Sequence, residues 1–118
     1  MTRFALAVDL GATKAALATV AEDFQILEKI EIPTGKNSNI WQNIEVETKS
    51  LLQNASGELI GVGIGSAGPL DLLKGTVSPV NISSWRNFPI VKNFSELTGS
   101  QNVVLHGDAM ALAHAENK

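Results

Sequence analysis

The sequence predicts an α/β domain built on a mixed five-stranded sheet with helices on its faces. Three observations predict it. Three short apolar or alternating segments follow one another directly within residues 4–32, which reads as an antiparallel meander. Beyond residue 39, stretches of helical spacing alternate with short apolar runs, the pattern of αβ units. The 118 residues suffice for one domain with one core, and no linker or internal repeat divides them.

Residues 4–8 are an apolar run ending at Asp9, which reads as a buried strand. Leu10, Gly11, Ala12 and Thr13 make a tight turn, and residues 14–20 form a second, Ala-rich strand. After a turn at Glu22 and Asp23, residues 24–32 place Phe24, Ile26, Ile30 and Ile32 in a third strand. A polar loop over 33–39 leads to a helix with Ser38 or Asn39 as its N-cap and Ile40, Trp41, Ile44, Leu51 and Leu52 on its apolar side. The fourth strand spans 59–64 and runs into a loop rich in glycine. A small hairpin over 70–77 turns at Lys74 and Gly75. An irregular loop over 78–89 carries Asn81 and Trp85. A short helix over 90–97 stops before Gly99, residues 103–105 form the fifth strand, and a last helix starts at Ala109.

Bulk properties narrow the function. Hydrophobic residues make up 44% of the chain, charged residues 18%, and the net charge is -3, so there is no basic stripe for nucleic acid. The chain has no cysteine, which excludes a disulfide scaffold and a cysteine-based zinc site within these residues. No apolar run approaches the roughly 20 residues that span a bilayer, and the first residues do not read as a signal peptide. The expectation is a soluble, cytoplasmic chain without membrane or nucleic-acid partners.

The first turn is one candidate site. A tight turn of small residues exposes backbone N–H groups in a concavity that suits phosphate oxygens. Thr13 adds a hydroxyl, Lys14 a charge, and Asp9 a carboxylate able to hold a water of Mg²⁺, which needs only one or two protein carboxylates. Equally, it is a plain hairpin turn in which Gly11 supplies a positive φ and the polar groups are solvated. It is neither a Walker A loop nor a dinucleotide-binding fingerprint, because neither glycine spacing is present.

Other candidates follow along the chain. Gly61, Gly63 and Gly65 alternate along a strand, which marks either close approach of a ligand or backbone, or tight packing on a helix. Asp108 precedes an Ala-rich segment. It reads as a helix N-cap or as the base that takes the proton of an attacking hydroxyl. Asn81 suits sugar hydroxyls or an Asx turn. Trp85 reads as a packing anchor, Arg86 as a surface residue, and His106 and His114 as structural.

Taken in order, Asp9-Leu10-Gly11-Ala12-Thr13-Lys14, then Gly63-Ile64-Gly65-Ser66-Ala67-Gly68-Pro69-Leu70-Asp71, then residues 78–85 with Asn81 and Trp85, then Gly107-Asp108-Ala109, resemble the ROK family of sugar kinases and related repressors. The resemblance covers essentially the whole chain but only the first of the family's two domains. It implies the actin-like ATPase (ribonuclease H-like) fold and phosphoryl transfer from MgATP to a hexose hydroxyl, in the manner of a glucokinase. By the same resemblance Asp9 serves Mg²⁺, and Gly11, Ala12, Thr13 and Lys14 line the ATP phosphate loop. Gly68 and Asn81 lie beside the sugar, and Asp108 is the base.

Four positions depart from the family pattern. Ala12 replaces the second glycine of the turn, Ala67 a proline, Gly107 the asparagine before the base, and Met110 the asparagine two residues after it. Gly107 has no side chain with which to contact a sugar hydroxyl. The family's C-terminal lobe, which holds the adenine, does not occur in these 118 residues. The expectation is therefore a half-site that needs that lobe as a partner and has little or no kinase activity alone. The resemblance also allows a homodimer. Two other readings stay open: a sugar-binding or assembly module without catalysis, and a fragment of a ROK-type regulator. Only three residues precede Phe4, which leaves no room here for the regulator's helix-turn-helix.

Overall fold

The computed structural model describes residues 2–11, 13–34, 39–66, 69–79, 82 and 85–106. β1 (Arg3–Leu10), β2 (Lys14–Ala21) and β3 (Ile26–Pro33) form the expected meander, with β1–β2 and β2–β3 both antiparallel. α1 (Ile40–Asn54) then crosses to β4 (Glu58–Ser66), which pairs parallel to β1. A separate hairpin, β5 (Leu70–Asp71) and β6 (Thr76–Val77), precedes α2 (Ile90–Thr98) and β7 (Val103–His106), parallel to β4. The main sheet is five-stranded and mixed, in the order β3-β2-β1-β4-β7.

Strand alternation sorts the side chains onto two faces. Leu6, Val8 and Leu10 of β1 align with Leu17 and Ala15 of β2, with Ile32 of β3, with Val62 and Ile64 of β4, and with Leu105 of β7. These residues join Ile40, Ile44 and Leu51 of α1 and Ile90 and Phe94 of α2 in one core, so both described helices cover this face. The buried stripe of α1 is Ile40, Ile44, Thr48 and Leu51, so Thr48 occupies a core position despite its weak helix propensity. The opposite face carries Ala5, Ala7, Asp9, Ala16, Ala18, Gly61, Gly63 and Gly65 in register. The alternating glycines thus do not serve packing against α1 or α2. The expected last helix, from 109 onward, lies outside the described residues.

Two local expectations change. Phe24 is not in the third strand: it sits in the β2–β3 turn at φ 68°, where its N–H donates to the Ala21 carbonyl. Asn39 occupies the N-cap position of α1 but its side chain makes no capping bond, and Ser38 lies outside the described residues. Gly57 turns the chain into β4 at φ 121°, a conformation that favours glycine. The stop of α2 is as expected, with Gly99 left-handed and its N–H bonded to the Ser95 carbonyl.

Candidate functional site

The parallel registers decide where the motifs meet. Leu10 stands beside Ser66, and Gly65 beside His106, so β1, β4 and β7 end side by side at one edge of the sheet. At a strand spacing of roughly 4.8 Å the three ends span about 10 Å. The turn after β1, the glycine loop after β4 and the Gly107-Asp108 segment after β7 all leave from this edge. Ligands of open α/β sheets bind outside the carboxyl ends of the strands, and this is such an edge. Ala12, Gly68, Asn81 and Asp108 themselves lie outside the described residues.

Asp9 is exposed and stands at the end of β1, one residue before its last, as the sequence suggested. Its cross-strand neighbours are Ala16 and Gly65, neither of which has a bulky side chain. Among the described residues Asp9 is an exposed carboxylate with small neighbours, a kind of group that suits Mg²⁺, which keeps most of its water. Among the described residues no group of three or more His, Cys, Asp and Glu is placed to hold a metal.

The turn is closed by the Gly11 N–H donating to the Lys14 carbonyl at 2.9 Å. Gly11 therefore does not supply a positive φ, contrary to the plain-turn reading. Space is tight there: a Cβ would stand 3.1 Å from that same carbonyl oxygen, so the turn would have to give by a few tenths of an ångström to accept a side chain. The Thr13 carbonyl accepts the Thr34 N–H at 3.0 Å, which ties the turn to the residue after β3. Thr13 and Lys14 are exposed, and the Lys14 ammonium pairs with Glu31 at 2.8 Å. That ammonium, with Lys29 second, holds the Glu31 carboxyl below its ordinary range. Ser66, at the end of β4 beside Leu10, is 6% exposed and its hydroxyl has no hydrogen-bond partner among the described residues.

The loop that carries Asn81 is firmly built on either side of that residue. The Ser78 N–H donates to the Pro69 carbonyl at 2.9 Å, which brings the loop back to the end of the glycine segment. Arg86 is not a bystander. Its Nη1 donates to the carbonyls of Trp85 at 2.9 Å, Pro79 at 3.1 Å and Ile82 at 3.3 Å. Trp85 is the expected anchor: it is 5% exposed and stacks on Phe88 with centroids 3.9 Å apart and planes 3° from parallel. The Asn87 N–H donates to Ser78 Oγ at 2.9 Å. No sequence signal marks Arg86, because its partners are main-chain carbonyls. Asp71, within the family-like glycine segment, serves the hairpin turn by accepting the N–H groups of Leu73 and Lys74, each at 3.1 Å.

Hollows lie on several parts of the surface, including one of about 300 Å³ beside Thr2, Thr19, Leu27 and Asn54. One of about 130 Å³ is lined by Pro69, Leu70, Asp71, Thr76, Ser78 and Asn87, next to the clamped loop. A larger one of about 270 Å³ lies between α1 and α2, among Trp41, Lys49, Asn93 and Glu96. The larger hollow is on the helical side, so size alone does not locate the chemistry.

Comparison with known proteins agrees with this geometry. The chain is 32% identical over 114 residues to an N-acetylmannosamine kinase of Escherichia coli O1:K1, covering 94% of this chain and 38% of that relative. It thus spans well under half the length of that relative. A ROK family glucokinase from Streptomyces griseus, solved in complex with glucose and AMPPNP, superposes with TM-score 0.68 at 30% identity, over 96% of this chain and 36% of that one. A ROK family transcriptional regulator, a homologue of the E. coli MLC protein, superposes with TM-score 0.76 at 18% identity over 97% of this chain and 30% of that one, which speaks to the fold alone. The fold is that of the actin-like ATPases. The sequence pattern of the ROK family matches residues 5–118, and the chain belongs to that family.

Proposed function

We propose that the chain is the phosphate- and sugar-facing N-terminal half of an ATP-dependent hexose kinase of the glucokinase type. The observation that carries this reading is the convergence of the β1, β4 and β7 ends, from which the phosphate turn, the glycine loop and the Asp108 segment follow in the chain. In this reading the turn over Gly11, Ala12, Thr13 and Lys14 faces the ATP phosphates, and Asp9 holds Mg²⁺ through water. The ion would offset phosphate charge. Gly68 and Asn81 line the sugar. Asp108 accepts the proton of the sugar hydroxyl as its oxygen bonds to the γ-phosphorus and the bridging P–O bond to ADP breaks. Positioning and electrostatics supply most of the rate. Because ATP is held between two lobes that close and exclude water, these residues alone have little or no turnover.

The test is a coupled ADP-release assay over a panel of sugars. It is run on this chain and on a chain extended to the length of its kinase relatives. Asp108→Asn is expected to lower turnover of the extended chain about 10²- to 10⁴-fold. Normal turnover after that substitution refutes the role given to Asp108. Sugar binding without any turnover in the extended chain would favour the non-catalytic module, to which Gly107, with no side chain for a sugar hydroxyl, gives some support.

A further inference from the structure

The Lys14–Glu31 pair poses a question that the phosphate reading does not answer. Lys14 belongs to the candidate phosphate turn, yet its ammonium lies 2.8 Å from Glu31 Oε2. Register explains the meeting. Ala16 pairs with both Asp9 and Glu31, so Asp9, Ala16 and Glu31 form one row on the sheet face opposite the helices. Lys14, two residues before Ala16, projects from the same face and reaches Glu31 diagonally. Lys29, two residues before Glu31, also shares that face, with its ammonium 3.7 Å from the same oxygen.

We infer that Glu31 is an internal competitor for the oxyanion that Lys14 serves: it holds the ammonium in the empty site and surrenders it to a polyphosphate. The inference rests on the phosphate reading of the turn. Both side chains are about half exposed, 55% for Lys14 and 43% for Glu31, so the pair is solvated and easily exchanged. Exchange does not strand the carboxylate, because Lys29 remains beside it. A polyphosphate, with several charges, outcompetes one carboxylate that is about half exposed. Glu31 thus tunes affinity for the phosphate group without touching it.

The experiment titrates the 118-residue chain with inorganic tripolyphosphate at constant pH and low salt, by calorimetry and by the amide shifts of Gly11 and Thr13. Three chains are compared: the unmodified chain, Glu31→Gln and Glu28→Gln. Glu28 lies on the same strand, opposite Thr19 and thus on the helical face, so its variant removes an equal charge without freeing Lys14. Circular dichroism verifies that all three are folded. Glu31→Gln is expected to bind about two- to fivefold more tightly, with the gain vanishing in concentrated salt and Glu28→Gln close to the unmodified chain. Equal or weaker binding by Glu31→Gln overturns the inference, as does an equal gain from Glu28→Gln. If neither the unmodified chain nor Glu31→Gln binds, the phosphate reading itself falls and takes this inference with it.

Discussion

Arg86→Ala removes one nitrogen that serves three carbonyls, those of Pro79, Ile82 and Trp85. That nitrogen carries two hydrogens, so three acceptors between 2.9 and 3.3 Å share at most two well-formed bonds. A hydrogen bond to a charged group contributes about 1.5–3 kcal/mol when well desolvated. Arg86 is exposed as a residue and its bonds are only partly buried, so water replaces much of what is lost. The net expectation is about 1–2 kcal/mol of destabilisation. Urea unfolding followed by far-ultraviolet circular dichroism measures it. Amide hydrogen exchange locates it: the N–H groups of Ile82 and Trp85, bonded to the Pro79 and Ile82 carbonyls, should lose protection first. Arg86→Lys, which keeps the charge but not the planar fork, should fall between the two. Stability within about 0.5 kcal/mol of the unmodified chain, together with unchanged exchange at Ile82 and Trp85, would refute the clamp.

Gly57→Ala should destabilise by at least about 2 kcal/mol in denaturant unfolding, combining backbone strain with a damaged hydrogen bond. Its Cβ would collide with the Thr2 carbonyl oxygen, which accepts the Glu58 N–H at 2.8 Å where β4 begins. The carboxyls of Glu22, bonded to Arg3, and Glu31, bonded to Lys14, are both held below their ordinary 4.5. Their contribution is therefore fully present above that value and lost as pH falls through the lowered ones. Thermal melts between pH 6 and acid should show this loss, and Glu22→Gln with Glu31→Gln should flatten that part of the profile.

Much of the fold was legible along the chain. Short apolar runs mark β1, β2 and β4, and the alternating segment at Ile30 and Ile32 marks β3, because these strands put residues into one core. Gly99 ends α2 for a reason visible in its residue type, the ease of a left-handed conformation. Phe24 was misplaced because an apolar residue beside a strand looks like a strand residue; only the Ala21–Gln25 turn bonds show otherwise. The site was legible in part. Asp9 and Lys14 flank a recognisable turn, and Trp85 anchors its loop as its size suggests.

By itself, then, the sequence determined the kind and order of the elements, the turn chemistry and the family-like motifs, all properties of residues near one another in the chain. Tertiary structure alone decided that three strand ends share one edge, because that follows from the parallel registers of β1 with β4 and of β4 with β7. It decided that Lys14 is held by Glu31, because a salt bridge between two strands depends on which residues the pairing sets diagonally. It decided that Arg86 works inward, because the folded loop turns three carbonyls toward one guanidinium and carbonyls leave no mark in residue type. Local propensity acts over a few residues; register and loop closure are set by the whole core, which is why these relations appear only in the folded chain.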